Sequence, residues 1–134
     1  MYLIDTSVWI AYLRQEQNAS VSYLQDILKK RHPFGITSVI YQEILQGASL
    51  AKDFARLTDY FSTQHFYHPQ DPIVSYANAA QLYFTCRKQG ITIRSTIDCL
   101  IAQIAIEHDL LLLHNDKDFI ELSKISSGLN LVKL

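Results

Sequence analysis

Short runs that are apolar throughout alternate along this chain with longer stretches in which apolar residues recur every three or four positions. The short runs lie at residues 2–4, 34–36, 66–67 and 110–113, and a last one at 129–132 is interrupted only by Asn130. Uniform apolarity, rather than strict alternation, marks strands covered on both faces. Helices are predicted between them. The first spans residues 8–14, with cap chemistry offered by Asp5-Thr6-Ser7. A second covers residues 20–31, with Val21, Leu24, Ile27 and Leu28 on one face and a basic end, Lys29-Lys30-Arg31, before the break at His32-Pro33. Thr37 or Ser38 caps a third, which runs to Gln46 and stops at Gly47. A fourth is expected over residues 50–62. Asp71-Pro72 starts a fifth that ends near Gly90, Ser95 or Thr96 caps a sixth that reaches His108, and a short one covers residues 117–122.

Strands alternating with helices define an α/β chain. The expected architecture is a three-layer α/β/α sandwich around a short, mainly parallel central sheet, formed by a single domain over residues 1–134. In such sheets the working residues gather at the carboxyl ends of the strands.

Composition narrows the function classes. A net charge of −1 gives no global basic footprint of the kind that grips duplex DNA, so any contact with nucleic acid has to run through a local patch or a metal. No apolar run approaches the roughly 18 residues of a membrane span. The N-terminus carries no basic region, and Asp5 interrupts it, so a secretory leader is not expected. Cys86 and Cys99 sit in no CxxC or Cys/His cluster, which argues against zinc or a disulfide scaffold and fits a reducing cytoplasm. Charged residues make up 19%, below the roughly 25% of ordinary domains, and 8 Tyr, 6 Phe and 1 Trp accompany them. Some aromatic surface is therefore expected to await a protein partner.

Four acids stand where burial logic would not put them. Asp5 and Asp116 follow predicted strands, Asp98 lies in a first helical turn, and Glu43 interrupts an apolar helix. A parallel layout can bring all four to one cleft. Two carboxylates about 4 Å apart repel by roughly 4 kcal/mol at an effective dielectric of about 20. Either their pKa values rise or a hard divalent cation sits among them. A cation held by carboxylates activates water and clamps a phosphate. Each acid has an ordinary alternative, since acids cap helices and suit their N-termini. Glu43 is the most telling, because its apolar neighbours make an unpaired carboxylate expensive. Asp118 reads first as an ordinary first-turn acid. Arg94 is either a phosphate contact at the cleft mouth or a solvated loop cation. His114 reads as structural, and Trp9, Tyr12 and Leu13 form a stripe that reads as core packing or, alternatively, as a groove for a partner helix.

At these residues the sequence resembles the PIN-domain family and, within it, the VapC-type toxins of bacterial toxin–antitoxin pairs. The matching segments are Tyr2-Leu3-Ile4-Asp5-Thr6-Ser7-Val8-Trp9, the run from Ile36 to Gly47 that contains Glu43, Ser95-Thr96-Ile97-Asp98-Cys99-Leu100-Ile101-Ala102, and Leu111 to Phe119 with Asp116-Lys117-Asp118-Phe119. They fall in the family's order and span nearly the whole chain. The resemblance implies a Rossmann-like PIN fold and a Mg²⁺- or Mn²⁺-dependent endoribonuclease. It also implies a homodimer and a VapB-like antitoxin as partner. Asp5, Glu43, Asp98 and Asp116 match the acidic quartet, with Asp5 and Asp98 the leading metal ligands. Thr6 or Ser7 matches a hydroxyl that orients an acid or a water, and Asp118 matches an acid of variable role. Two other functions compete: an RNA-processing PIN nuclease without antitoxin, and a phospho-receiver module of similar length and architecture.

Overall fold

The computed structural model describes residues 1–134. Five strands form one sheet: β1 (Tyr2–Ile4), β2 (Phe34–Ile36), β3 (His65–Phe66), β4 (Leu111–Leu113) and β5 (Asn130–Leu131). Their order is β3-β2-β1-β4-β5, and every neighbouring pair is parallel. Seven helices join them: α1 (Thr6–Leu13), α2 (Ala19–Lys30), α3 (Ser38–Gln46), α4 (Ala51–Phe61), α5 (Val74–Lys88), α6 (Thr96–Glu107) and α7 (Lys117–Ile125). The helices pack in two groups, α1 to α4 and α5 to α7. Parallel crossovers are right-handed, so a sheet that grows first one way from β1 and then the other carries these groups on opposite faces.

The register follows burial. Leu3 pairs with Gly35 on one side and Leu112 on the other, and Ile4 pairs with Leu113. Leu3, Ile4, Ile36, Leu112 and Leu113 are all fully buried, as strands covered twice require. Trp9 of α1 fills the space between sheet and helices. Its ring meets Phe61 edge-on at 4.9 Å and Phe34 at 5.7 Å. The predicted Trp9–Tyr12–Leu13 stripe is therefore divided: Trp9 is core, whereas Leu13 is 44% exposed.

Most boundaries fall within a residue or two of expectation, with α1 starting at Thr6 rather than Val8, and the larger differences lie in the second half of the chain. Helix α5 starts at Val74 rather than at Asp71-Pro72. Asp71 still caps, its Oδ1 accepting from the N–H groups of Ile73 and Val74 at 2.8 Å, but what it caps is a turn ahead of the helix. Helix α7 runs on to Ile125 instead of Leu122, and β5 shortens to two residues.

The chain turns from β1 to one side of the sheet and reaches β4 on the other side. The carboxyl ends of β1 and β4 thus flank the point where strand order reverses, and a crevice opens there. The N–H of Asp5 bonds the Leu113 carbonyl at 2.9 Å and carries the ladder one residue past β1, to the rim of that crevice.

Candidate active site

Asp5 directly follows β1 and caps α1, in extended conformation with φ −68° and ψ 154°. Its Oδ2 accepts the Ser7 N–H at 3.0 Å and the Ser7 hydroxyl at 2.6 Å. Asp5 is 5% exposed, and burial pushes its carboxyl up to about 6 against the pull of the Ser7 bonds, with the Glu43 charge adding to the rise. The Ser7 oxygen also accepts the Asn115 N–H at 3.0 Å, so one hydroxyl ties α1 to the loop after β4.

Glu43 sits on the second turn of α3, a helix fixed by Thr37, whose hydroxyl accepts the Ile40 N–H. The Thr6 hydroxyl donates to Glu43 Oε1 at 2.7 Å. The two residues left as alternatives from the sequence, Thr6 and Ser7, thus both serve, each on a different acid. Asp98 lies in the first turn of α6, behind the Ser95 cap. Burial is the main cause that pushes its carboxyl up to about 7, and the charges of Asp5, Asp116, Asp118 and Glu43 all add to the rise.

Asp116 caps α7, its Oδ1 accepting the Asp118 N–H at 2.9 Å. Asp118 lies behind Asp116 and is 4% exposed, with a carboxylate oxygen within 4.8 Å of ones on Asp98 and Asp116. Its Oδ2 accepts from Arg94 twice, from the backbone N–H at 3.1 Å and from Nε at 3.3 Å. Arg94 Nη2 reaches Asp116 Oδ1 at 3.1 Å. The sequence offered Arg94 as a phosphate contact or a solvated loop cation; its side chain is 65% exposed, and its guanidinium is also engaged by two carboxylates. His114 Nδ1 accepts the Asp116 N–H at 3.1 Å, and burial holds the imidazole below its ordinary pKa, so it braces the loop as a neutral ring.

Asp5, Glu43, Asp98 and Asp116 line one open cleft of about 390 Å³, together with Thr6, Ser7, Ser95 and Asn115. Ile10, Ala11, Arg14 and Glu16 complete its wall and were not singled out from the sequence. A signal for three of them existed: Ser7, Ile10, Ala11 and Arg14 recur at 3–4 spacing and so share one face of α1. The donor set is oxygen throughout, with no cysteine or histidine among it. No protein donor relieves the Asp98 carboxylate, whose acidity is depressed first by burial and then by the surrounding negative charge. A hard dication such as Mg²⁺ or Mn²⁺ fits this chemistry. A second, apolar groove of about 540 Å³ lies between α5 and α6, walled by Tyr76, Tyr83, Phe84 and Ile97, and holds no acid.

A parallel α/β sheet with a carboxylate cleft at its switch point defines a class of acid-site α/β proteins, and comparison with known proteins gives the family. Residues 2–125 match the PIN domain model, and the chain belongs to the PIN-domain family. It is 30% identical over 131 residues to ribonuclease VapC11 of Mycobacterium tuberculosis and equally to a VapC ribonuclease of Mycobacterium bovis, each match covering 95% of both chains. Among solved structures, the fold matches that of VapBC2 from Rickettsia felis, bound to a promoter DNA fragment, at a TM-score of 0.70, with 19% identity over 99% of this chain and 98% of that one. It matches VapBC-1 from nontypeable Haemophilus influenzae at a TM-score of 0.71, with 20% identity over 98% and 96%. The family assignment removes the phospho-receiver alternative.

Proposed function

We propose that this chain is the toxin endoribonuclease of a VapBC-type pair, a Mg²⁺- or Mn²⁺-dependent enzyme that cuts RNA phosphodiester bonds. In this reading it acts in the cytoplasm as a single-domain protein that forms a homodimer, and a VapB-like antitoxin neutralises it. The observation that carries the reading is the convergence of Asp5, Glu43, Asp98 and Asp116 on one cleft, four acids of which Asp98 senses the other three directly. The names of its VapC relatives and the VapBC composition of its structural neighbours support the biological role. No helix is long and apolar enough to cross a membrane.

Asp5 and Asp98 would hold the cation, with Glu43 and Asp116 completing its surroundings. When bound, the cation lowers the pKa of a water and neutralises charge on the phosphate. The protein's share is positional. Ser7 holds Asp5 in one rotamer through two bonds. Thr6 leaves one Glu43 oxygen committed and the other available to orient a water or a substrate hydroxyl. Arg14, on the cleft wall without a carboxylate partner, is placed to meet a flanking phosphate.

The test is expression of the chain alone and with the small protein encoded beside it. Growth arrest relieved by that partner and abolished by Asp5→Ala supports the toxin role. Metal-dependent RNA cleavage without toxicity, or without a relieving partner, would instead favour an RNA-processing nuclease.

A further inference from the structure

Asp98, Asp116 and Asp118 each offer an oxygen within 4.8 Å of the others, an arrangement that by itself resembles a second cation cage. Arg94 already occupies it. Asp116 Oδ1 accepts from Arg94 Nη2 and from the Asp118 N–H, and Asp118 Oδ2 accepts from Arg94 Nε and from its backbone N–H. Two protein donors thus meet each of these oxygens, whereas none meets the Asp98 carboxylate. The guanidinium is a planar fork, suited to straddling two carboxylates where an ammonium would satisfy one. Its side chain is 65% exposed, so it can leave this position without unpacking the core.

We propose that Arg94 is the resident counter-ion of the Asp116–Asp118 half of the cluster and thereby sets the metal count: one divalent cation enters on the Asp5–Asp98 side, and a second is excluded while the guanidinium stays in place. Asp118 is then a positioning residue rather than a metal ligand. It acts through Arg94, and through the Arg94 backbone it ties the turn ahead of α6, and with it Asp98, to α7. This inference rests on the metal-nuclease reading and specifies its metal stoichiometry.

The test is Mn²⁺ titration of the metal-free full chain, with free Mn²⁺ counted by electron paramagnetic resonance. Wild type is expected to take up one Mn²⁺ per chain. Arg94→Gln should take up two, the second at least about tenfold more tightly than any second uptake by wild type, because a positive charge beside the site is gone. Arg94→Lys, which keeps the charge, should return the count to one. Loss of a merely structural contact would lower metal uptake and would not raise it. Equal uptake by Arg94→Gln and wild type, or loss of the first cation in Arg94→Gln, overturns the proposal. If Arg94→Gln does not fold, wild type still decides. The ¹⁵N resonance of Arg94 Nε should hold its position through one equivalent of Mg²⁺, and its shift at that first equivalent would mean that the first cation takes Asp116 and Asp118. Asp98→Asn separates the two levels. If wild type takes up no more Mn²⁺ than Asp98→Asn does, the metal reading itself fails. If it takes up one more while Arg94→Gln matches wild type, only the role of Arg94 fails.

Discussion

The Thr6 hydroxyl donates to Glu43 across 37 residues of sequence, at 2.7 Å, and joins the first turn of α1 to the second turn of α3. The bond fixes the one acid of the cleft that comes from a helix interior. Thr6→Val removes the donor and keeps the shape. Cleavage should fall roughly 10- to 100-fold, as when a supporting partner of a metal-site ligand is lost. The melting temperature should change little, and Thr6→Ser should restore the rate. An active Thr6→Val variant would detach Glu43 from the chemistry.

Ser7 has two obligations, donating to Asp5 and accepting from Asn115. Ser7→Ala leaves the buried Asp5 carboxylate with one donor fewer and orphans a backbone N–H. The expected cost is about 1–3 kcal/mol. It is read as a lower urea midpoint in EDTA at pH 8, where Asp5 is ionised and needs the bond most. An unchanged midpoint would show that water replaces the hydroxyl without loss.

The raised carboxyls at Asp5 (about 6) and Asp98 (about 7) make a statement about stability. Above about pH 4 the unfolded chain has released these protons while the folded chain still holds them. The folded state therefore binds more protons, and its stability falls as pH rises toward about 7. His114, held below its ordinary pKa, contributes with the opposite sign up to its unfolded value of 6.5. The contrast to measure is wild type against Asp98→Asn in EDTA between pH 5 and 8. Wild type should lose more melting temperature over that range, and Mg²⁺ should recover it most at the alkaline end. Parallel curves for the two proteins would contradict the crowding assigned to Asp98.

Gly35 lies on β2 under the Tyr67 ring. A Cβ placed there would come within 2.7 Å of Tyr67 Cδ2 and 2.8 Å of the His65 carbonyl oxygen, a backbone atom of the neighbouring strand. Gly35→Ala should destabilise by about 1–3 kcal/mol, the usual range for overpacking, with a lower denaturant midpoint. Because Glu43 follows on α3, a loss of activity larger than the loss of fold would show that β2 also sets the position of that acid.

Much of this was legible in the sequence because its chemistry is local. Uniformly apolar runs marked β1, β2 and β4, and Asp5 and Asp116 stood directly after two of them. The caps read as Thr37 or Ser38 and as Ser95 or Thr96, and Thr37 and Ser95 serve. What the sequence could not supply was pairing across distance. Nothing local distinguishes Thr6 from Ser7, since only the position of α3 relative to β1 decides which hydroxyl meets Glu43. Arg94 precedes Asp118 by 24 residues, and only the packing of α6 on α7 turns it from a loop cation into a clamp. Asp71 misled for the same reason in miniature: its capping bonds form, but the chain needs a further turn before Val74 can enter the helix.

The central claim is a metal-dependent cut in RNA made by this acid cleft. The most direct measurement incubates the purified chain with total RNA in Mg²⁺, in Mn²⁺ or in EDTA, beside Asp5→Ala and Asp98→Asn, and sequences the cut ends. Discrete cuts that require both the cation and each acid are the predicted result. Cleavage that persists in EDTA, or in a folded Asp98→Asn variant, would contradict the account.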